Sequence, residues 1–222
     1  MINGRETIMA ALDRSLKDRQ AGDDPLDADP VHAALSRDPP DHARRVDTFR
    51  AKAEAVDATT RRLAGPSAVP GEITDYLARS GLGGPLRMAP HPMIQGLDWS
   101  VCAGLEVTGG AARDGDRVGL GVAYAGIAET GTLVLNSAPE SPTSLNFLPE
   151  IHIVLLPAGR ILDTGEDLWS LMRREKGKEN FLPPSVNWIT GPSRTADIEQ
   201  RLQLGVHGPR HLHILIVDHD DG

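Results

Sequence analysis

Ile189-Thr190-Gly191-Pro192-Ser193-Arg194-Thr195-Ala196-Asp197-Ile198-Glu199, then Gly205-Val206-His207-Gly208-Pro209-Arg210 and an apolar run over residues 211–217, decides the fold of this 222-residue chain. Gly191 and Pro192 break a strand that ends at Ile189. Ser193 or Thr195 offers a hydroxyl to the first free N–H groups of a helix. Ile198 and Leu202 lie one helical turn apart and give that helix an apolar stripe. Gly205 is its expected left-handed stop, with Val206 folding back on the last turn. Residues 207–210 make a polar loop ahead of the last strand. The unit is strand, turn, helix, loop, strand, the repeating piece of an α/β fold. Two polar loops, one at each end of the predicted helix, hold most of the reactive side chains, and folds spend such residues on loops chiefly for function.

Upstream the alternation continues. Residues 73–80 read as a helix stopped by Gly81, and 86–88 and 104–108 as short strands. In residues 117–125, Val118, Leu120, Val122 and Tyr124 face one way, and Gly119, Gly121, Ala123 and Ala125 the other. A glycine-rich face admits close approach by a helix or a ligand, the helix being the commoner. Residues 133–135 and 151–156 are buried-strand candidates. Asp163 or Thr164 opens a helix with Glu166 and Asp167 early and Arg173, Arg174 and Lys176 late, as the helix dipole prefers. Residues 186–189 form a strand. Strands alternating with helices indicate a mostly parallel α/β sheet.

The N-terminal part differs. Asn3 and Glu6 make a capping-box-like start ahead of Ile8, Leu12 and Leu16, predicting a helix over 4–19. Residues 20–42 are rich in Asp and Pro and read as an extended linker. A longer helix is expected over 43–64, with Val46, Phe49, Ala53, Val56 and Leu63 as its apolar positions, ended by Gly65-Pro66. That spacing admits a coiled-coil seam, but so few heptads favour packing on the helix's own domain. The expected organisation is a helical N-terminal extension over 1–65 and an α/β domain over 66–222.

The formal charge of −8 and pI of about 5.4 argue against nucleic acid or an anionic membrane surface as partner. No apolar run reaches membrane-spanning length, and the start lacks the basic and apolar regions of a secretory signal, so a cytoplasmic location is expected. Cys102, the one cysteine, can neither form an internal disulfide nor by itself ligate an iron–sulfur cluster. A core cysteine is the preferred reading over a nucleophile.

The stretch GPSRTADIE followed by GVHGPR resembles the C-terminal signature of the lactate-utilisation protein C family (LutC/YkgG, the LUD domain). A second block, Ile127-Ala128-Glu129-Thr130-Gly131-Thr132-Leu133-Val134-Leu135 with Pro149-Glu150-Ile151-His152-Ile153-Val154, supports the resemblance, which covers roughly residues 66–217. It implies the Rossmann-like fold shared by ribose-5-phosphate isomerases, glucosamine-6-phosphate deaminases and CoA transferases (the NagB/RpiA/CoA-transferase type). It also implies a subunit of an L-lactate oxidation system that makes pyruvate, with iron–sulfur clusters in partner subunits and no cofactor bound by this chain. Two rivals stand beside it: a stand-alone CoA-transferase-like or sugar-phosphate isomerase-like enzyme using Glu129, and a non-catalytic assembly module docking through the 43–64 helix. Whether the chain is catalytic alone, and whether it forms a homo-oligomer, stays open.

Glu129 is the first candidate base or nucleophile. Gly131 permits a sharp turn there, and a carboxylate at a strand end in a dry crevice can work as either. The segment faintly resembles the Glu-x-Gly segment of CoA transferases. The plainer alternative is that Glu129 holds loop N–H groups. Thr130, Gly131 and Thr132 are assigned with it to substrate or anion binding. Gly191, Ser193, Arg194 and Thr195 suit an anion at a helix start, although Asp197 and Glu199 oppose one. His207 and Arg210, flanking Gly208-Pro209, suit proton transfer and recognition of a small carboxylate or phosphate. The loops after Ala128 and Ile189 are expected at the carboxyl ends of the strands, with Glu129 and Ser193 bordering one pocket. His152 reads as a satisfied core histidine. A metal site from His211, His213, Asp218, His219 and Asp220 is the weaker reading of a solvated tail, so no metal is expected.

Overall fold

Residues 151–157 and 211–217 carry apolar side chains at almost every position, so neither strand can keep a solvent face. The computed structural model describes Met9 and residues 42–102, 104–177, 181–198, 201–204 and 207–218. The predicted helix over 4–19 and the linker lie outside the described residues, apart from Met9 and His42. In chain order the elements are α1 (His42–Glu54), β1 (Thr59–Leu63), α2 (Val69–Ser80), β2 (Leu86–Met88), α3 (Pro92–Gln95), β3 (Val107–Gly109), β4 (Val118–Val122), β5 (Ala125–Ile127), β6 (Thr132–Asn136), β7 (Ile151–Pro157), β8 (Ile161–Leu162), α4 (Gly165–Lys176), β9 (Val186–Ile189), β10 (Arg194–Ile198), β11 (Arg201–Leu204) and β12 (His211–Val217).

Six strands form one sheet in the order β1-β12-β7-β4-β2-β3, and every neighbouring pair is parallel. This is the expected mostly parallel α/β architecture. A second, mixed sheet has the order β8-β5-β6-β9. One face of the parallel sheet is covered by α2, through Val69, Ile73 and Leu77 packed with Leu120, Ile153, Leu155 and Leu215. The other face is covered by α1 and the second sheet, with Val46, Phe49, Leu133 and Leu135 packed with Val154, Leu156, Ile214 and Ile216. The outer face of the second sheet is closed by Leu168 and Met172 of α4.

Several local signals work as read. Gly81 ends α2 at φ 64°, a left-handed stop that glycine adopts without steric cost. Thr164 caps α4 in a reciprocal capping box with Asp167, so two free N–H groups find side-chain oxygens. Cys102 is buried, with its thiol donating to the Pro70 carbonyl.

Several expectations are corrected. The helix predicted over 43–64 stops at Glu54, and residues 59–63 form an edge strand of the parallel sheet. Asp57, at φ 65°, turns the chain between them, a conformation that Asp tolerates better than most residues. The β-branched Thr59 and Thr60 then favour a strand. Exposed Arg61 and Arg62 charge that strand, which protects an open edge from further pairing. The α/β unit therefore includes α1 and β1, upstream of the expected boundary at residue 66, and Val46, Phe49 and Ala53 pack on their own unit rather than in a coiled coil.

The helix expected after Gly191-Pro192 is replaced by the antiparallel pair β10–β11, with Arg194 opposite Leu204 and Ile198 opposite Arg201. A helix this short is marginal without a packed face, and pairing between the two arms wins. Glu199, Gly205 and Val206 lie outside the described residues. On the glycine face of β4, the close neighbours are Pro149, the Leu145 carbonyl of the short 3-10 turn Thr143–Asn146 and the His152 ring, and not a long covering helix. A Cβ on Gly119 would stand 2.7 Å from Pro149, and one on Gly121 would stand 3.4 Å from His152 Nε2.

His152 is a core residue but not a satisfied one. It is fully buried, and among the described residues neither ring nitrogen has a hydrogen-bond partner. His213 stacks on Tyr76 at 3.8 Å, and its Nδ1 lies 2.7 Å from Thr59 Oγ1. Burial pushes both histidines down to about 4, whereas an unfolded histidine titrates near about 6.5. Between those values the unfolded chain binds protons that the folded chain refuses. Stability is therefore full above about pH 6.5 and falls as the pH drops, by about 1.4 kcal/mol per pH unit for each histidine. Denaturant melts from neutral to acid pH should show this loss, and His152→Leu should remove roughly one histidine's share of the slope. A wild-type profile that is flat over this range would contradict the buried, neutral state.

Candidate functional site

A parallel sheet has two chemically distinct ends, and the polar loops of this chain divide between them. At the amino ends, α1 turns into β1 through Val56 and Asp57. The β5–β6 turn packs on the end of α1: a Cβ on Gly131, at φ 68°, would stand 2.3 Å from Ala53 N. Glycine is needed there to let helix and turn meet, without invoking a ligand. Glu129 in that turn is exposed, and its N–H donates to the Asp163 carbonyl. Thr130 and Thr132 share a hydroxyl contact of 2.7 Å, and Thr132 reaches Thr190 at 2.7 Å. Gly191, at φ 82°, lies against the same α1–β1 turn, 2.5 Å from Val56 O at its ideal Cβ. Arg194 donates to that carbonyl at 2.8 Å and pairs with Asp57. Its charge is therefore already matched, and the helix start that was to hold an anion beside Ser193 and Thr195 does not exist.

The third loop is different. The Ser193 N–H donates to the Pro209 carbonyl, and the Arg210 N–H to the Glu150 carbonyl. Between those anchors, His207, Gly208 and Arg210 line an open cleft of about 630 Å³ with Phe147, Leu148, Pro149 and Glu150. Glu150 is held by Arg117 at 2.9 Å. Arg210 and His207 are exposed, and among the described residues neither side chain makes a hydrogen bond or ion pair. The structure thus gathers His207, Gly208 and Arg210, with Ser193 adjoining Gly208. The Thr130, Gly131 and Thr132 turn is tied to the Thr190–Gly191 corner instead, and Glu129 lines neither this cleft nor the pocket described next. The loops after Ala128 and Ile189 lie at the amino ends of the strands, not at the carboxyl ends. The side chain of Thr195 lies outside the described residues.

At the carboxyl ends, β2 leads out to the edge strand β3, while β4 leads the other way to β7. Loops leaving neighbouring strands in opposite directions open a crevice at such a switch point. A pocket of about 220 Å³ lies there, lined by His91 after β2, by Val122, Ala123 and Tyr124 at the end of β4, and by Asn136, Ser137, Ala138, Glu140, Ser141 and Lys176. Asn136 is 9% exposed, and among the described residues its amide nitrogen and oxygen both lack partners. His91 Nδ1 accepts the Met93 N–H, so the neutral ring carries its proton on Nε2. Burial lowers the pKa of His91, with Glu140 opposing. Burial and the carboxylate of Glu175, which accepts the hydroxyl proton, push Tyr124 up to about 12. Sequence reading missed this pocket because strand order, which creates it, is not written in any local pattern. Among the described residues no group of three or more His, Cys, Asp or Glu is arranged to hold a metal ion.

Residues 116–217 match the family model of the LUD domain. Lactate utilization protein C of Bacillus licheniformis is 29% identical over 188 residues, covering 80% of this chain and 76% of that protein. Lactate utilization protein C of Bacillus subtilis is 33% identical over 109 residues, 48% of this chain and 45% of that one. An uncharacterized protein of Neisseria meningitidis serogroup B is 42% identical over 99 residues, but the match spans only 45% of this chain and 41% of that protein. A crystal structure of a DUF162 family protein from Deinococcus radiodurans matches with a TM-score of 0.57 at 19% identity, covering 81% of this chain and 99% of that one, and shows the fold. The resemblance to the lactate-utilisation protein C and LUD family is borne out. In the described residues no helix is long and apolar enough to cross a membrane.

Because the Gly131 backbone meets Ala53 directly, Gly131→Ala should cost about 2–4 kcal/mol of stability. Thermal or denaturant melts check this, and a near-neutral effect would mean that the turn and α1 do not meet as described.

Proposed function

We propose that this chain, whose residues 116–217 match the LUD domain model, serves in lactate utilisation as the subunit without clusters, beside iron–sulfur partner proteins that convert L-lactate to pyruvate. Relatives named lactate utilization protein C support the role. The lone, buried Cys102 supports the division of labour, because a cluster needs several thiolates. On this reading electrons travel through the partners, and this chain contributes recognition of a small acid.

The observation that carries the proposal is the Arg210 guanidinium, exposed in the amino-end cleft beside His207 without a partner among the described residues. A guanidinium offers two parallel donors to a carboxylate or phosphate. His207 adds a donor or a proton-transfer group on the same loop. The backbone anchors at Pro209 and Arg210 hold the loop in advance, which lowers the entropy cost of binding. The Glu129 enzyme reading lacks comparable support, since that carboxylate is exposed on a packed turn and lines neither cavity. The docking-module reading lacks its surface, since the apolar face of α1 is buried.

Arg210→Lys keeps the charge and loses the fork. It should weaken binding of L-lactate or inorganic phosphate, or activity of the reconstituted system, by about 1–3 kcal/mol while the melting temperature stays nearly constant. Calorimetry and thermal melts on this one variant separate the roles. Unchanged binding together with a clearly lowered melt would leave the loop as scaffold.

A further inference from the structure

The amino-end cleft has an apolar wall that recognition of a small acid leaves unused. We propose that this cleft docks the C-terminal residue of a partner protein, with the free carboxylate on Arg210 and His207 and an apolar side chain on Phe147 and Leu148. This rests on the reading of Arg210 as an acid receptor and adds what carries the acid.

The apolar wall is made by two neighbours in sequence. Phe147 and Leu148 are 44% and 56% exposed, and both line the cleft with His207, Gly208 and Arg210. A Cβ on Gly208 would stand 3.9 Å from Phe147 Cδ1, so the ring lies against the loop that bears the two polar side chains. The wall is fixed in place. The Phe147 and Leu148 N–H groups both donate to the Ser144 carbonyl. Leu145 before them is buried in the core, and Pro149 after them sits on the bare backbone of Gly119. Large apolar side chains exposed singly are ordinary on a protein surface. An adjacent pair on a held turn, with an aromatic ring beside an arginine, has the composition of an interface centre.

The polar side favours an anion. Glu150 is the acid in the lining, and Arg117 donates to its Oε2 through Nε at 3.2 Å and Nη2 at 2.9 Å. Its charge is therefore matched from within the protein. Arg210 has no partner among the described residues, so the cleft keeps an excess positive charge in a chain of formal charge −8. Size then separates a chain end from a small metabolite. About 630 Å³ falls in the range, roughly 300–1,000 Å³, that takes a drug-sized ligand. A three-carbon acid on Arg210 would leave Phe147 and Leu148 in water. A C-terminal residue carries its carboxylate and its side chain on one carbon atom, so it engages the arginine and the apolar pair together. An aspartate or glutamate within an extended segment does not, because its neighbours point to the opposite face. The open mouth of the cleft gives the preceding residues of the partner a way out.

The test uses the full chain and titration calorimetry. The probe is the N-acetylated peptide Gly-Ser-Gly-Ala-Leu with a free carboxyl end. It is compared with its C-terminal amide, with the same peptide ending in Ser, and with isocaproate, an apolar acid without a peptide chain. The Leu-ended free acid should bind about tenfold more tightly than any of these. Arg210→Lys should close the gap to the amide, because the fork is lost. Phe147→Ser and Leu148→Ser, changes at exposed side chains, should close the gap to the Ser-ended peptide. Acid equal to amide, Leu end equal to Ser end, or no binding at millimolar peptide would overturn the docking role, as would preferences untouched by all of these variants. Isocaproate binding as tightly as the peptide would overturn it in favour of a free apolar acid. L-lactate and inorganic phosphate, titrated in parallel, keep the two readings of Arg210 apart. If they bind through Arg210 while the peptide shows no advantage over its amide, the small-acid role stands and the docked chain end falls. If they fail to bind while the peptide preferences hold, the small-acid role falls and docking stands.

Discussion

The parallel ladder between β7 and β12 is the constraint on which the rest of the molecule depends. Seven registered pairs run from Ile151 opposite His211 to Pro157 opposite Val217. Both strands are covered on both faces, so their backbone groups have no water to turn to and must pair with neighbours. β1 and β4 complete the pairing outward. Parallel neighbours demand long crossovers, and those crossovers become the covering layers. The second sheet, α1 and α2 are there because the central strands cannot be left bare.

The turn between α1 and β1 organises the amino ends in a similar way. Gly131 approaches Ala53 and Gly191 approaches Val56 so closely that only a missing Cβ allows it. Arg194 completes the corner through the Val56 carbonyl and Asp57. Glycines and an arginine that look like an anion site in a linear reading are spent on holding two loops to one turn. The residue types are the same in either role. What separates the roles is whether the partner is protein, and for Arg194 it is, whereas for Arg210 none is found among the described residues.

Buried polarity is concentrated where the layers meet. His152 lies over the bare backbone of Gly121, and the absence of a side chain there makes room for a ring in an otherwise apolar layer. The cost of leaving its nitrogens unpaired falls on the charged form most heavily, so this histidine is a core group and not an acid–base group at neutral pH. Arg87 and Asp116, 13% and 12% exposed as side chains, pair at 2.8 Å on β2 and the turn before β4. Their geometry holds the acid below its usual range, chiefly through the Arg87 hydrogen bond. That pair ties together the two strands whose other ends open into the crevice.

The sequence by itself determined the strands over 86–88, 133–135, 151–156, 186–189 and 211–217, the stop at Gly81 and a helix opening at Asp163 or Thr164, because each rests on an apolar run or a cap within a few residues. It also carried the resemblance to the lactate-utilisation protein C and LUD family, through two separated motifs. What only the tertiary structure decided are the features that depend on partners distant in sequence. Thr59 and Thr60 become a strand because β12 lies beside them, and the arms 194–198 and 201–204 become strands because each pairs with the other. His207, Gly208 and Arg210 could be read as a group from their adjacency. Asn136 and His91 could not, since they are far apart in the chain and meet only because β2 and β4 are neighbours. Lateral strand order is a global property of packing, and no local pattern of residues encodes which loops it brings together.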